Sequence, residues 1–194
     1  MLARMSPRTP RLILSSLCAL MPATVMAHAG GEAHSFMAGV LHPLLGLDHL
    51  VAILAVGLLA GHYGGAMRLW LPTCFVTAMA AGATFGAGSA AQPFTEIGLA
   101  LSLIAFGLAL HSKRSLRATP LIVSTAVFAL VHGLAHGTER AGDVSTLPFI
   151  FGLILTTATL HAIGVVLARP TLLKWSGRAI SLLGIVVLGT LLQS

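Results

Sequence analysis

Apolar residues run along this chain in six long stretches, at about 36–60, 67–87, 94–110, 120–137, 147–168 and 175–192, with polar residues gathered between them. Each stretch approaches the ~20 residues that a helix needs to cross the hydrocarbon core of a bilayer. Gly61 with Gly64 and Gly65, Gln92 with Pro93, Pro120, Pro148 and Pro170 fall near the ends of these stretches and read as the turns that join them. The pattern predicts an all-α, polytopic membrane protein of six transmembrane helices. Composition agrees: 56% of the 194 residues are hydrophobic and only 8% charged, which excludes a soluble fold and leaves no length for an extramembrane domain.

A shorter apolar run precedes the first span. Arg4, Arg8 and Arg11 lead into positions 12–20, then Pro22, then Val25-Met26-Ala27 with small residues where cleavage is determined, the layout of a secretory signal. Residues 1–27 are expected to be removed, leaving 28–194 as one six-helix domain that begins at His28. Cys18 leaves with the signal and Cys74 remains alone, so neither an intramolecular disulfide nor a thiolate cage is expected. Met37, Met67 and Met79 are too scattered for a soft copper(I) path.

A formal charge of +6 would suggest a nucleic-acid partner in a soluble protein, but here the basic residues sit in the connections. With the mature N-terminus outside, the inner loops hold Arg68, then Lys113, Arg114 and Arg117, then Arg169, Lys174 and Arg178, while Arg140 falls outside. Charge therefore reports orientation in an inner (cytoplasmic) membrane, with both mature termini periplasmic, and no nucleic acid is expected. Small residues four apart at Gly57/Gly61, Gly82/Gly86 and Gly133/Gly137 let helices approach closely in lipid. The two most polar stretches, the first and fourth, open two three-helix halves of opposite direction. That suggests an inverted repeat with a site between the halves.

The fourth stretch carries His132, His136 and Glu139 at i, i+4 and i+7, one narrow stripe of a helix. Two imidazoles and a carboxylate suit nickel, cobalt or zinc. Interhelical hydrogen bonding is the plainer reading, but three aligned ionisable groups are costly in lipid and favour function. The first stretch carries His42-Pro43-Leu44-Leu45-Gly46-Leu47-Asp48-His49. His42 and His49, seven apart, share a face of a continuous helix, whereas Asp48 lies about 100° from His49 and needs a neighbouring helix or a distortion to join them. Pro43 leaves the Gly39 carbonyl without its donor and is expected to kink or open the helix beside His42. Asp48 could instead orient a ligating imidazole.

Glu96, at the outer end of the third stretch, is the remaining acid close to the membrane. His161 lies mid-span in the fifth, one turn after Thr157, where hydrogen-bonded packing is the simpler role. His62 and His111 sit at inner loop edges and receive no role. His28, with Glu32 and His34 nearby, could collect metal at the mature N-terminus. No phosphate loop of the form G-x-x-x-x-G-K followed by Ser or Thr occurs, so drive by nucleotide hydrolysis through that route is not expected. A dication entering down a 100 mV potential gains about 4.6 kcal/mol, which suffices for uptake.

The segments His42-Pro43-x-x-Gly46-x-Asp48-His49 and His132-Gly133-x-Ala135-His136-Gly137-x-Glu139 resemble the two signatures of the HupE/UreJ family of hydrogenase and urease accessory permeases. They stand in the right order, in the first and fourth spans, and the likeness spans the chain. The resemblance implies a permease rather than an enzyme, without a resident cofactor. It would take up nickel first, cobalt second, from the periplasm toward hydrogenase or urease maturation, with cytoplasmic nickel chaperones of those enzymes as partners. It implies functional roles for His42, Asp48, His49, His136 and Glu139, and more distantly Glu96; the helical stripe adds His132 to this candidate metal set. Val131 stands where the family pattern often has Phe, which loosens packing but leaves the ligands intact.

Two other classes fit parts of the pattern. An intramembrane zinc hydrolase could hold its metal with His132, His136 and Asp48 and use Glu139 as base, yet the ligand-like groups are more numerous than such a site needs. A b-type cytochrome would pair histidines on haem, and a Soret band would reveal it. The orientation has its own test. A cysteine placed in the 113–117 loop should resist an impermeant thiol reagent added to intact cells, and labelling there would overturn the assignment.

Overall fold

The structure, a computed structural model, describes residues 31–86, 92–112 and 117–193. The signal-like segment, His28 and the Lys113 and Arg114 pair lie outside the described residues. Seven helices follow in order: α1 Glu32–Leu45, α2 Leu47–Tyr63, α3 Met67–Gly86, α4 Gln92–His111, α5 Ala118–Glu139, α6 Thr146–Leu167 and α7 Pro170–Leu191. The last five are long and apolar enough to cross a membrane singly, and α1 with α2, meeting at 84°, count together as a sixth, broken span because they run the length of α6 from Phe149 to Ala168. The chain is a polytopic membrane protein. Exposed Leu69, Phe85, Phe151 and Val166 face the lipid. Exposed Trp70 and Trp175 stand beside Arg68 and Lys174, where interfacial aromatic belts form.

Two expectations change. The first span is not a single helix opened beside His42, because Pro43 stays within α1 and the break falls three residues later, at Gly46. Proline removes only the hydrogen bond to the Gly39 carbonyl, whereas Gly46 leaves the helix altogether (φ −95°, ψ 115°) and Asp48 starts a new one by accepting the His49 N–H. Pro93, Pro120, Pro148 and Pro170 do not lie in turns but in the first turns of α4, α5, α6 and α7, where a missing N–H has no helical partner to lose. The last helix therefore begins at Pro170, not near 175. The turn from α2 to α3 uses Gly64 and Gly65 at positive φ (66° and 52°), a backbone that favours glycine.

Three tight pairs of spans hold the bundle, each at glycines with no room for a side chain. A Cβ on Gly82 would strike the Leu130 carbonyl and one on Gly133 the Met79 carbonyl, which seats α3 on α5. Gly39 meets the Phe149 backbone and Gly57 meets His161 and Gly164, so α6 supports both α1 and α2. Gly107 meets Ser181 and Gly184 meets Ala100, joining α4 to α7. Contacts advance together along the first two pairs and oppositely along the third. Spans two and four, and one and five, are thus parallel, and spans three and six antiparallel, as alternating crossings require. The second span of each half packs on the first span of the other, the relation an inverted repeat demands. The halves differ in that α5 is unbroken and, among the described residues, does not repeat the packing of α2 on its followers.

The central element is α2: Ala52, Ile53, Val56 and Leu59 are fully buried, and it touches α3, α4, α6 and α7. Its N-terminus carries Asp48 and His49. If close backbone approach holds the fold, Gly82→Ala and Gly133→Ala should each cost about 1–3 kcal/mol by overpacking, read as a lower unfolding temperature of the purified protein. Gly189→Ala, with open space around it, should not lower it.

Candidate metal site

The elbow between α1 and α2 lies level with the middle of α6, since Gly39 sits beside Phe149 and Gly57 beside His161. A helix start leaves backbone N–H groups without partners. Asp48 supplies one: its Oδ1 accepts the His49 backbone N–H at 2.9 Å and pairs with His49 Nδ1 at 3.1 Å. An ionised carboxylate only accepts, so His49 keeps its proton on Nδ1 and presents a lone pair at Nε2. That Nε2 is buried and has no protein partner. Gly46 has an ordinary negative φ; its requirement is spatial, because a Cβ there would lie 2.9 Å from His49 Nδ1 and 3.1 Å from Asp48 Oδ1.

On α5, His132 and His136 are fully buried. His132 Nδ1 donates to the Phe128 carbonyl at 2.9 Å, which again leaves Nε2 with a lone pair, and neither ring nitrogen of His136 has a protein partner. Burying such groups unpaired costs about 1–3 kcal/mol each, so their convergence on one locus points to a ligand. Ring centroids are 4.6 Å apart for His49 and His136, 5.6 Å for His49 and His132, and 4.9 Å for His42 and His136. His42 Nε2 lies 3.1 Å from Glu139 Oε2. Among the described residues, His42, His136 and Glu139 each offer a donor atom within 4.8 Å of the others. Donors at bond lengths of ~2.1 Å stand roughly 3–4 Å apart, so side-chain shifts of about 1 Å would close this triad on an ion.

Six of the seven predicted residues thus gather at the elbow. His42 and His49 do not share a face of one helix, as the spacing had suggested; the elbow brings their rings to 6.5 Å from two helices. Glu96 stands apart, exposed on α4, but lines with Asp48, His49 and Glu139 a cavity of about 270 Å³ between α2, α4, α5 and α7. His62 and His111 lie at the other end of the bundle with Lys174 and Arg178. Sequence reasoning passed over Phe75, fully buried and edge-on to His132 at 5.5 Å, and Phe149, edge-on to His42 at 5.4 Å. A phenylalanine within an apolar stretch carries no signal of its own.

Comparison with known proteins places the whole chain in one family. Residues 16–192 match the family described as HupE / UreJ protein. A relative, Protein HupE of Rhizobium leguminosarum bv. viciae, is 31% identical over 184 residues, covering 91% of this chain and 96% of the relative. No solved structure matches significantly.

The role of Asp48 as the group that sets the His49 ring can be measured. Asp48→Asn should weaken nickel binding about 10- to 100-fold, the usual effect of losing a partner that orients a ligand, when purified protein is titrated by calorimetry. Gly46→Ala should weaken it in the same direction, by crowding the same two side chains.

Proposed function

Because the chain belongs to the HupE/UreJ family, we propose that it takes up a divalent transition metal, nickel first and cobalt second, across the inner membrane from periplasm to cytoplasm. The metal would serve hydrogenase or urease maturation, with handover to cytoplasmic nickel chaperones of those enzymes. The observation that carries this reading is the gathering of four imidazoles with Asp48 and Glu139 where the first span breaks. Imidazole and carboxylate donors suit nickel, cobalt and zinc better than the hard alkaline-earth ions or copper(I).

Half-exposed Glu139 and His42, with side-chain exposures of 37% and 22%, would meet the ion first, drawn by the Asp48, Glu96 and Glu139 carboxylates around the cavity. His136, His49 and His132 then offer imidazole nitrogens in succession. Seven residues from Glu139 to His132 span ~10 Å along α5. The C-terminal end of α1, where carbonyls lack helical donors, adds a partial negative charge that favours a cation. The membrane potential supplies the drive.

The zinc hydrolase reading is supported less well: Asp48 is engaged by His49 and not turned to His132 and His136, and the converging donors are His42, His136 and Glu139. His136→Ala and Glu139→Gln should insert at near-parent abundance, because packing rests on apolar and small residues. Both should cut uptake of radioactive nickel by about tenfold or more, the scale of a lost ligand or orienting group. Stable variants that take up nickel, cobalt and zinc like the parent would end the metal-site reading.

A further inference from the structure

His161 is the one buried imidazole among the described residues that the elbow site does not use. It lies on α6, 1% exposed, and both of its ring nitrogens lack a protein partner. The hydrogen-bonded packing role suggested by its sequence position is therefore not what the fold provides. Thr157, one turn earlier, directs its hydroxyl to Met79 Sδ at 3.5 Å instead. A histidine serving only to fill space would be replaceable by an apolar residue and would not leave two polar atoms unpaired at a cost of about 1–3 kcal/mol each.

Its surroundings give it a place in a sequence of sites. The Phe75 ring stands edge-on to both His132 and His161, at centroid distances of 5.5 Å and 5.1 Å. One phenyl ring therefore touches both the innermost imidazole of the elbow and His161. His161 also lines a groove of about 330 Å³ between α3 and α6 that opens on the outer face of the bundle at exposed Thr73, Thr77 and Ala162 and reaches Arg68 at the start of α3. His161 is fifteen residues beyond Thr146, or ~22 Å along the helix axis at 1.5 Å per residue. It thus lies past the midpoint of α6, toward the end that carries the basic connections.

We propose that His161 is a second metal-binding station, which accepts the divalent ion from His132 once the Phe75 ring moves aside and passes it into the α3–α6 groove. The inference rests on the uptake reading above. One imidazole, with water and carbonyl oxygens completing the shell, binds more weakly than the elbow, so the ion is not trapped a second time. Arg68 at the far end disfavours a resting dication by like-charge repulsion and so favours its departure.

The test compares full-length parent, His161→Ala, His161→Cys and His161→Ser, each assayed for radioactive nickel and zinc uptake in cells and for nickel binding by calorimetry after purification. His161→Ala and His161→Ser should lose about tenfold or more of uptake, the scale of a lost metal ligand, while binding of the first nickel equivalent stays at the parent's affinity. His161→Cys, alike in shape to the serine variant but a soft ligand, should recover zinc uptake at least severalfold over His161→Ser. Parent-like uptake in His161→Ala, equal zinc uptake in the cysteine and serine variants, or loss of the first nickel equivalent in all three would each overturn the proposal. The elbow reading fails separately, if His136→Ala binds the first nickel equivalent as the parent does.

Discussion

A helix broken within a membrane protein leaves N–H and C=O groups that lipid cannot satisfy, and the elbow at Gly46 is where this chain gathers its ionisable side chains. Asp48 answers one orphan donor at the start of α2, and the positive end of that helix in turn stabilises its carboxylate. The same oxygen fixes the proton of His49 on Nδ1, so a structural need of the backbone decides which imidazole nitrogen faces the site. The elbow is held open by α6. The Thr156 hydroxyl donates to the Val40 carbonyl at 2.8 Å and the Ser145 N–H to the Ser35 hydroxyl at 2.9 Å, while Gly39 and Gly57 rest on α6 on either side of the bend. Leu45 and Leu47 flank the break and are exposed, as apolar side chains facing lipid should be.

Glycine contacts then decide what the elbow meets. Gly133 and Gly137 press α5 onto α3, and the preceding residue in each case is a histidine, about 100° around the helix. Seating the glycines on α3 therefore turns His132 and His136 toward α2. One register serves both ends, because a slip of α5 along α3 would break the backbone contacts and move the imidazoles away from His49 together. In a bilayer, where apolar burial does not by itself drive helices together, such close contacts carry much of the association.

Charge is divided along the bundle in a way that suits a moving dication. Glu139 and Glu96 line a cavity together with Asp48, and the buried imidazoles of His49, His132 and His136 adjoin it. Arg68, Lys174 and Arg178 lie at the opposite end. Glu139 and Glu96 attract a cation at long range, while the carboxylate of Asp48, at the mid-depth elbow, is engaged by the His49 ring and backbone N–H. Imidazole lone pairs coordinate without adding charge.

Much of this was legible along the chain, for a physical reason. Lipid imposes a minimum apolar length on every span, so six crossings show in the hydropathy pattern, and helical periodicity places His132, His136 and Glu139 on one stripe whatever surrounds them. The two family signatures are each contiguous, and contiguous patterns survive in a sequence. The site of the break was not legible: Pro43 offered the stronger local signal, yet Gly46 with Asp48 two residues on makes the new helix start, in a space fixed by neighbouring helices. Nor could periodicity pair His42 with Glu139, 97 residues away, set Glu96 apart across a cavity, or leave His161 without a hydrogen-bond partner beside Phe75. Those outcomes depend on which glycine faces meet between distant helices, and that choice is made only when all the spans pack at once.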